Sequence, residues 1–260
     1  LSALASLALA AILLSGVWLL RGAAMGAMAA LVLVASVSYW QYAALQYADI
    51  PLAMFMLAAL CVAVIAETQQ WRPGLMALSG ILASLAAWTK DEGAVLLVGL
   101  GVTVLVRARK RALAWLAAAL PATLLVAVFK LVLTPGSPIW GAPKGDFAGR
   151  MKLISGVFFN EILGTGHFPA HPVLMLILCA ALLGLRRPAR PIWPLAPVAI
   201  LGASYIGAYM VTNADLSWHL QTSATRLLLQ IAPSFLFCLF LLLRSPIDGE
   251  PAKQEMKRKR

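Results

Sequence analysis

The chain has 260 residues, 62% of them apolar and 12% charged, with a mean hydropathy of +0.86. A water-soluble domain has no use for that much apolar surface, so lipid or neighbouring helices must surround most side chains. The formal charge of +11 suggests nucleic acid at first sight. The cations, however, come as short clusters between apolar stretches, the pattern of a polytopic membrane protein, and nucleic acid is excluded as a partner.

In chain order the apolar stretches predict nine spans, at roughly 2–20, 23–43, 50–66, 74–89, 92–106, 112–133, 172–185, 192–211 and 226–243. The fold class expected is all-α, a polytopic integral membrane protein with a helical domain over 1–243 and a basic cytoplasmic tail over 244–260. The sequence opens at Leu1, already inside an apolar stretch, with no charged leader or cleavage-site pattern. A fragment of a longer protein is therefore expected. Cys61, Cys179 and Cys238 are odd in number and lie inside apolar runs, so they read as packing residues rather than disulfide or zinc ligands.

The basic clusters at 107–111, 186–190 and 257–260 fix an orientation. With these on the cytoplasmic side, alternation of spans puts Arg21 and residues 67–72 inside as well. Fifteen of the 21 Lys and Arg residues then lie on that side. The outer side receives Asp49, Asp91, Glu92, Asp146, Glu161 and Asp215, together with His167, His171 and His219; before the C-terminal tail, Glu67 is the exception. Titratable groups gathered at one membrane level mark that level as the place for chemistry. The long outer connection, about 135–171, contains Met151, Ile154, Phe158 and Ile162 at helical spacing, which predicts an amphipathic helix lying on the membrane.

Three outer motifs carry candidate residues. In Tyr47-Ala48-Asp49-Ile50-Pro51, Asp49 is either the N-cap of the next span or a carboxylate open to a metal or a substrate hydroxyl. In Trp88-Thr89-Lys90-Asp91-Glu92-Gly93, Thr89 and Glu92 fit a capping box and Asp91 suits a helix N-terminus. Lys90 either snorkels to the interface or pairs with a phosphate at headgroup level. In the stretch 212–226, Asn213 is a candidate cap. Asp215, His219, Thr222 and Arg226 recur at helical spacing, so that Asp215 can orient His219 as an i,i+4 pair. Arg226 lies about 16 Å further along the axis and either contacts a different part of an elongated ligand or anchors the helix. His167 and His171 are separated by Pro169 and do not make a convincing zinc motif. Phosphate-loop, dinucleotide and Gly-x-Ser-x-Gly signatures are absent from the sequence.

The order of these motifs resembles a known family. A YADIP turn opens a span, GILASLAAWTKDEG ends a small-residue helix in a Thr-Lys turn, and RLLLQIAP begins the last span. This is similar to the GT-C membrane glycosyltransferases of the protein O-mannosyltransferase and lipid A aminoarabinose transferase type. The resemblance implies transfer of a sugar from a polyprenyl-phosphate donor to an acceptor at the outer face, in a bacterial inner membrane. It implies that Asp49 is the family's second outer carboxylate and a catalytic residue, and that Lys90 and Arg226 are cations near the lipid phosphate. Asp215 and His219 stand as candidate substrate-binding residues without a family assignment. The family's usual base sits on a first outer loop and is expected upstream of Leu1. Partners implied are the lipid-linked donor and membrane lipid; a divalent cation is an open option. A secondary transporter and a non-catalytic membrane scaffold are the rival readings; charge-free span middles weigh against the transporter.

Overall fold

A computed structural model describes residues 2–45, 47–134, 146–163, 170–185 and 193–245, with side chains of 170–175 left aside. The described chain is all-helical. Its helices are α1 (Ser2–Arg21), α2 (Ala23–Val34), α3 (Val37–Ala44), α4 (Asp49–Thr68), α5 (Pro73–Thr89), α6 (Asp91–Ala108), α7 (Ala112–Val128), α8 (Phe147–Leu163), α9 (Ala170–Leu183), α10 (Leu195–Val211) and α11 (Leu216–Leu242).

Helix α4 is apolar on all faces and buried along most of its length, which makes it the centre of the bundle. It packs against α1, α5, α6 and α11. Small residues set the closest approach. Gly80 of α5 lies so near the Trp115 carbonyl of α7 that a Cβ there would overlap it. Ser79 donates to the Ala59 carbonyl of α4 at 2.8 Å and accepts from Trp115 Nε1 at 3.1 Å, so one hydroxyl ties three helices together. Away from this centre, large apolar side chains face outward, among them Leu131 at 86%, Leu182 at 81% and Val106 at 73% exposure. An apolar perimeter around a packed interior is what a bilayer stabilises, and the protein is an integral membrane protein.

Polar contacts gather at the two ends of the bundle. At one end Arg107 pairs with Glu67, Trp193 Nε1 donates to Glu67 at 2.7 Å, and Arg21 donates to the Leu243 carbonyl at 2.5 Å. The amide of Arg244 reaches the Gly184 carbonyl at 3.1 Å. The ends of α1, α4, α6, α9 and α11 and the start of α10 therefore share one level. The opposite level holds Asp49, Lys90, Asp91, Lys130 and Thr212.

Asp91 to Leu133 is a helical run of 43 residues. As one straight helix it would be about 64 Å long, twice a hydrocarbon core. Yet Lys130 near its end forms an ion pair with Asp91 at its start. The chain therefore turns back, at Arg109, whose φ of 50° lies in the left-handed region. It forms an antiparallel pair, α6 and α7, each packed on α5.

Several expectations are corrected. The second span is two helices bent by 68° across residues 35–36. The last helix begins at Leu216 rather than near 226 and has 27 residues. Helix α7 ends in a π-helical turn, Phe129–Leu133, carrying Lys130. Helix α8 forms where an amphipathic helix was predicted, but Ile154 faces the bundle together with Arg150 and Glu161, whereas Ile162 is 41% exposed. By length and composition four described helical runs are able to cross a membrane, or five if α2 and α3 act together. Helices α5 and α10, expected as spans, have 17 residues each. The clusters at 186–190 and 257–260 and the tail beyond 245 lie outside the described residues.

Gly80 offers a direct test of the close packing. Gly80→Leu should destabilise the protein by about 1–3 kcal/mol, the usual cost of overpacking. Gly74→Ala, with open space around its Cβ, should leave stability unchanged or slightly raised. Thermal unfolding of both variants in detergent decides it; a neutral Gly80→Leu would refute the proposed contact between α5 and α7.

Candidate functional site

The carboxylate of Asp49 is fully buried at the first turn of α4. It is not the cap of that helix, whose N-cap is Ala48 without a side-chain bond. Its oxygens are turned inward to three donors instead. Lys90 Nζ donates to Oδ1 at 2.9 Å, Gln230 Nε2 to the same oxygen at 2.5 Å, and Arg226 Nε to Oδ2 at 2.8 Å. Asp49, Lys90 and Arg226, far apart in sequence, thus meet at one point. A buried carboxylate is tolerated only with such charge-assisted partners.

Each donor is held by local structure. Lys90 is the single residue between α5 and α6 and has an extended backbone. The turn is tight because Gly93, on the first turn of α6, lies against the Ala86 carbonyl where a Cβ would overlap. The predicted capping box is absent: Thr89 bonds back to the Leu85 carbonyl at 2.8 Å, and Glu92 sits 3.2 Å from Lys90 Nζ. Glu92 is an ion-pair partner rather than a cap. Arg226 and Gln230 are one turn apart on the same face of α11. Tyr205 OH donates to Gln230 Oε1 at 2.9 Å, so that the amide nitrogen must point at Asp49. The Arg226 guanidinium lies 4.7 Å from the centre of the Tyr47 ring, a cation–π contact. Only its Nε is used on Asp49; its two Nη groups have no partner among the described residues.

Charge decides what the cluster can hold. Lys90 and Arg226 are balanced formally by Asp49 and Glu92; Lys90 pairs with both carboxylates and Arg226 with Asp49 alone. Lys90 is 22% and Arg226 30% exposed, and Asp49 is 0%. Glu92 is 23% exposed beside Lys90, so the cationic face of the cluster is the Arg226 side, where two uncommitted Nη groups suit an anion with several oxygens. Asp49 itself meets no solvent and acts through the two cations it positions.

His219 and Asp215 part company. Asp215 caps α11 by accepting from the Trp218 amide at 2.8 Å, a role expected of Asn213, and does not orient the His219 ring. It lines a small cavity of about 260 Å³ with Asp146 and Arg150. His219 lines a different cavity, of about 560 Å³, together with Lys90, Asp91, Glu92, Tyr205 and Ser223. Its ring meets Tyr209 edge-on at 4.9 Å. Thr222, expected on the same face, is exposed. His167 lies outside the described residues, as does the side chain of His171. No cluster of three or more metal-ligating side chains occurs among the described residues.

Sequence reasoning missed Gln230, Tyr205 and Arg150, and gave no individual role to Tyr47 and Glu161. Arg150 donates to the Tyr209 and Thr212 carbonyls at 2.5 and 3.0 Å, and Glu161 accepts from Thr225 at 2.9 Å, pinning α8 across α10 and α11. Gln230 had a cue: a polar residue in an apolar helix, four after Arg226. What the fold and site define is an all-helical integral membrane protein with a buried carboxylate coupled to two partly exposed cations at one end of its bundle. No protein-family profile, curated protein or solved structure matches the chain.

Asp49→Ala should cost about 2–3 kcal/mol, below the ~3–5 kcal/mol for breaking a wholly buried pair because both cations keep some solvent. Glu92→Gln should cost under about 1 kcal/mol, as a partly exposed ion pair does. Denaturation midpoints in one detergent give the comparison; a larger loss for Glu92→Gln would reverse the assignment.

Proposed function

We propose that the chain is part of a GT-C-type membrane glycosyltransferase that moves a sugar from a polyprenyl-phosphate donor to an acceptor at the outer face of the membrane. The observation that carries this reading is the meeting of Lys90 and Arg226 at the buried Asp49, with both Nη groups of Arg226 uncommitted. In the transfer, the bond between the anomeric carbon and the phosphate oxygen breaks and a bond to the acceptor forms. The electron pair stays on the phosphate, and the acceptor's proton passes to a base. Negative charge grows on the phosphate oxygens as the bond breaks, so fixed cations there stabilise the transition state more than the bound donor. Arg226 supplies a planar fork, Lys90 a point charge, and Asp49 holds both in register. The resemblance assigns the base to a carboxylate on a first outer loop. Buried as it is, Asp49 fits a positioning role better than the catalytic one first expected of it.

A donor with a long lipid tail delivers its phosphate at headgroup level, which agrees with a cluster at one end of an apolar bundle. In this reading the chain crosses the membrane nine times, with the Asp49 level outside and the C-terminus in the cytoplasm. The contacts of Arg21 with Leu243 and of Arg107 with Glu67 each join two of the turns that this reading puts on the cytoplasmic side.

Two measurements test the proposal. With the native cysteines replaced, Asp146→Cys should be labelled from the outer side and Glu250→Cys only after permeabilisation; outside labelling at 250 would overturn the topology. In the full-length protein, Arg226→Ala should lower transfer per folded molecule by about a hundredfold, the scale of one lost transition-state donor. Arg226→Lys should recover only part of it. Undiminished transfer in Arg226→Ala would remove the residue from the reaction.

A further inference from the structure

The cavity beside Lys90 has an unused donor. About 560 Å³ in volume, it falls within the ~300–1,000 Å³ of small-ligand sites. Its lining is largely apolar, with Val95, Ala208 and Leu227, and carries the hydroxyls of Ser204 and Ser223 and the charged groups Lys90, Asp91 and Glu92. Most of these are engaged elsewhere. Tyr205 donates to Gln230, and Tyr209 and Ser223 bond each other at 2.7 Å while Ser223 also reaches the His219 carbonyl at 2.5 Å. His219 differs. Its Nδ1 is buried with no hydrogen-bond partner, closed off in a ring packed on Tyr209.

A buried N–H without an acceptor is costlier than a buried lone pair without a donor. The neutral ring is therefore best satisfied with its proton on Nε2, leaving Nδ1 bare. We infer that this cavity is a site for a neutral, hydroxyl-bearing ring such as a monosaccharide, with His219 Nε2–H donating to one ligand oxygen and the Glu92 carboxylate accepting from a ligand hydroxyl. The inference rests on the glycosyl-transfer reading, because Lys90 borders both this cavity and the Asp49 cluster. A sugar in the cavity then has its phosphate beside Lys90. His219 acts as a donor that fixes the ring, not as a base. A carboxylate and an N–H lining one cavity match the acceptor and donor needs of sugar hydroxyls. A purely apolar or purely anionic ligand would leave one of them unpaired.

The test uses the full chain in phosphatidylcholine nanodiscs, which carry no sugar of their own, with methyl hexosides and methyl pentosides as probes. Nitrogen-15 spectra of labelled histidine, assigned by His219→Gln, should show His219 as the Nε2–H tautomer. The Nε2 resonance should move on adding glycoside and stay still with tetraethylene glycol. His219→Phe should weaken glycoside binding about tenfold, the effect of one lost hydrogen bond in a closed site, and Glu92→Gln, which keeps an acceptor oxygen but loses its charge, by less. His219→Gln, which keeps an N–H near the Nε2 position, should stay within about threefold of the parent. A proton on Nδ1, a silent His219 at saturating glycoside, or unchanged affinity in His219→Phe would each overturn the inference. The tautomer and the shift are read in the unaltered protein, so a variant that fails to fold does not protect the idea. Glycoside binding without transfer from a polyprenyl-phosphate sugar would support the site and retire the transfer reading. Transfer that proceeds while His219 is silent would retire the site alone.

Discussion

The carboxylate of Asp49 is the constraint on which one end of the bundle depends. A bare carboxylate removed from water at a helix terminus would be costly, and here it is fully buried. Its cost is offset by three donors drawn from two other places in the chain: Lys90 from the α5–α6 turn, and Arg226 and Gln230 from α11. Meeting that requirement brings α4, α5, α6 and α11 to a common level. It also leaves the outer faces of two cations turned towards the bundle's edge. The structural demand and the chemical opportunity thus have one origin, since a charge too costly to bury alone recruits the cations that a phosphate would need.

The two bundle ends solve different problems with similar residues. At the level of Glu67, Arg107 and Trp193, one carboxylate accepts from an arginine and an indole, and the arginine lies 5.9 Å from the Trp193 ring centre. That knot closes on itself and leaves its arginine stacked and engaged. At the level of Asp49, Arg226 spends one nitrogen only, and a cavity opens beside Lys90. Between the two ends, packing by small residues takes over. The Ser79 hydroxyl and the bare Cα of Gly80 let α5 approach α4 and α7 closely, as expected where lipid gives helices no hydrophobic reason to associate.

Helix α8 shows why an amphipathic pattern is an incomplete guide to what a helix faces. Apolar residues at helical spacing suggest contact with lipid. Arg150 instead donates to the Tyr209 and Thr212 carbonyls at the end of α10, and Glu161 accepts from Thr225 of α11. The last carbonyls of a helix have no donor within the helix itself, and here a buried arginine from another helix donates to two at the end of α10.

Hydropathy and cation placement were sufficient, from the residues alone, to establish a helical membrane protein and the places where most of its helices begin and end. Both follow from how single residues partition between water and lipid, which needs no knowledge of neighbours. A shared membrane level, together with the family resemblance, also led to Asp49, Lys90 and Arg226, because charged residues beside apolar runs are conspicuous. Their local roles were misjudged for the same reason: Thr89–Glu92 matched a capping box, and Asp215 and His219 matched an i,i+4 pair, but each motif describes a helix in isolation. Tertiary structure decided which partner each group took. It turned Glu92 to Lys90 and Asp215 to a backbone amide, and brought Gln230 to Asp49 across 181 positions of sequence. It also folded a 43-residue helical run back at Arg109. Hydrogen bonds and ion pairs are satisfied by whatever lies within about 3 Å, and only the packed bundle determines what that is.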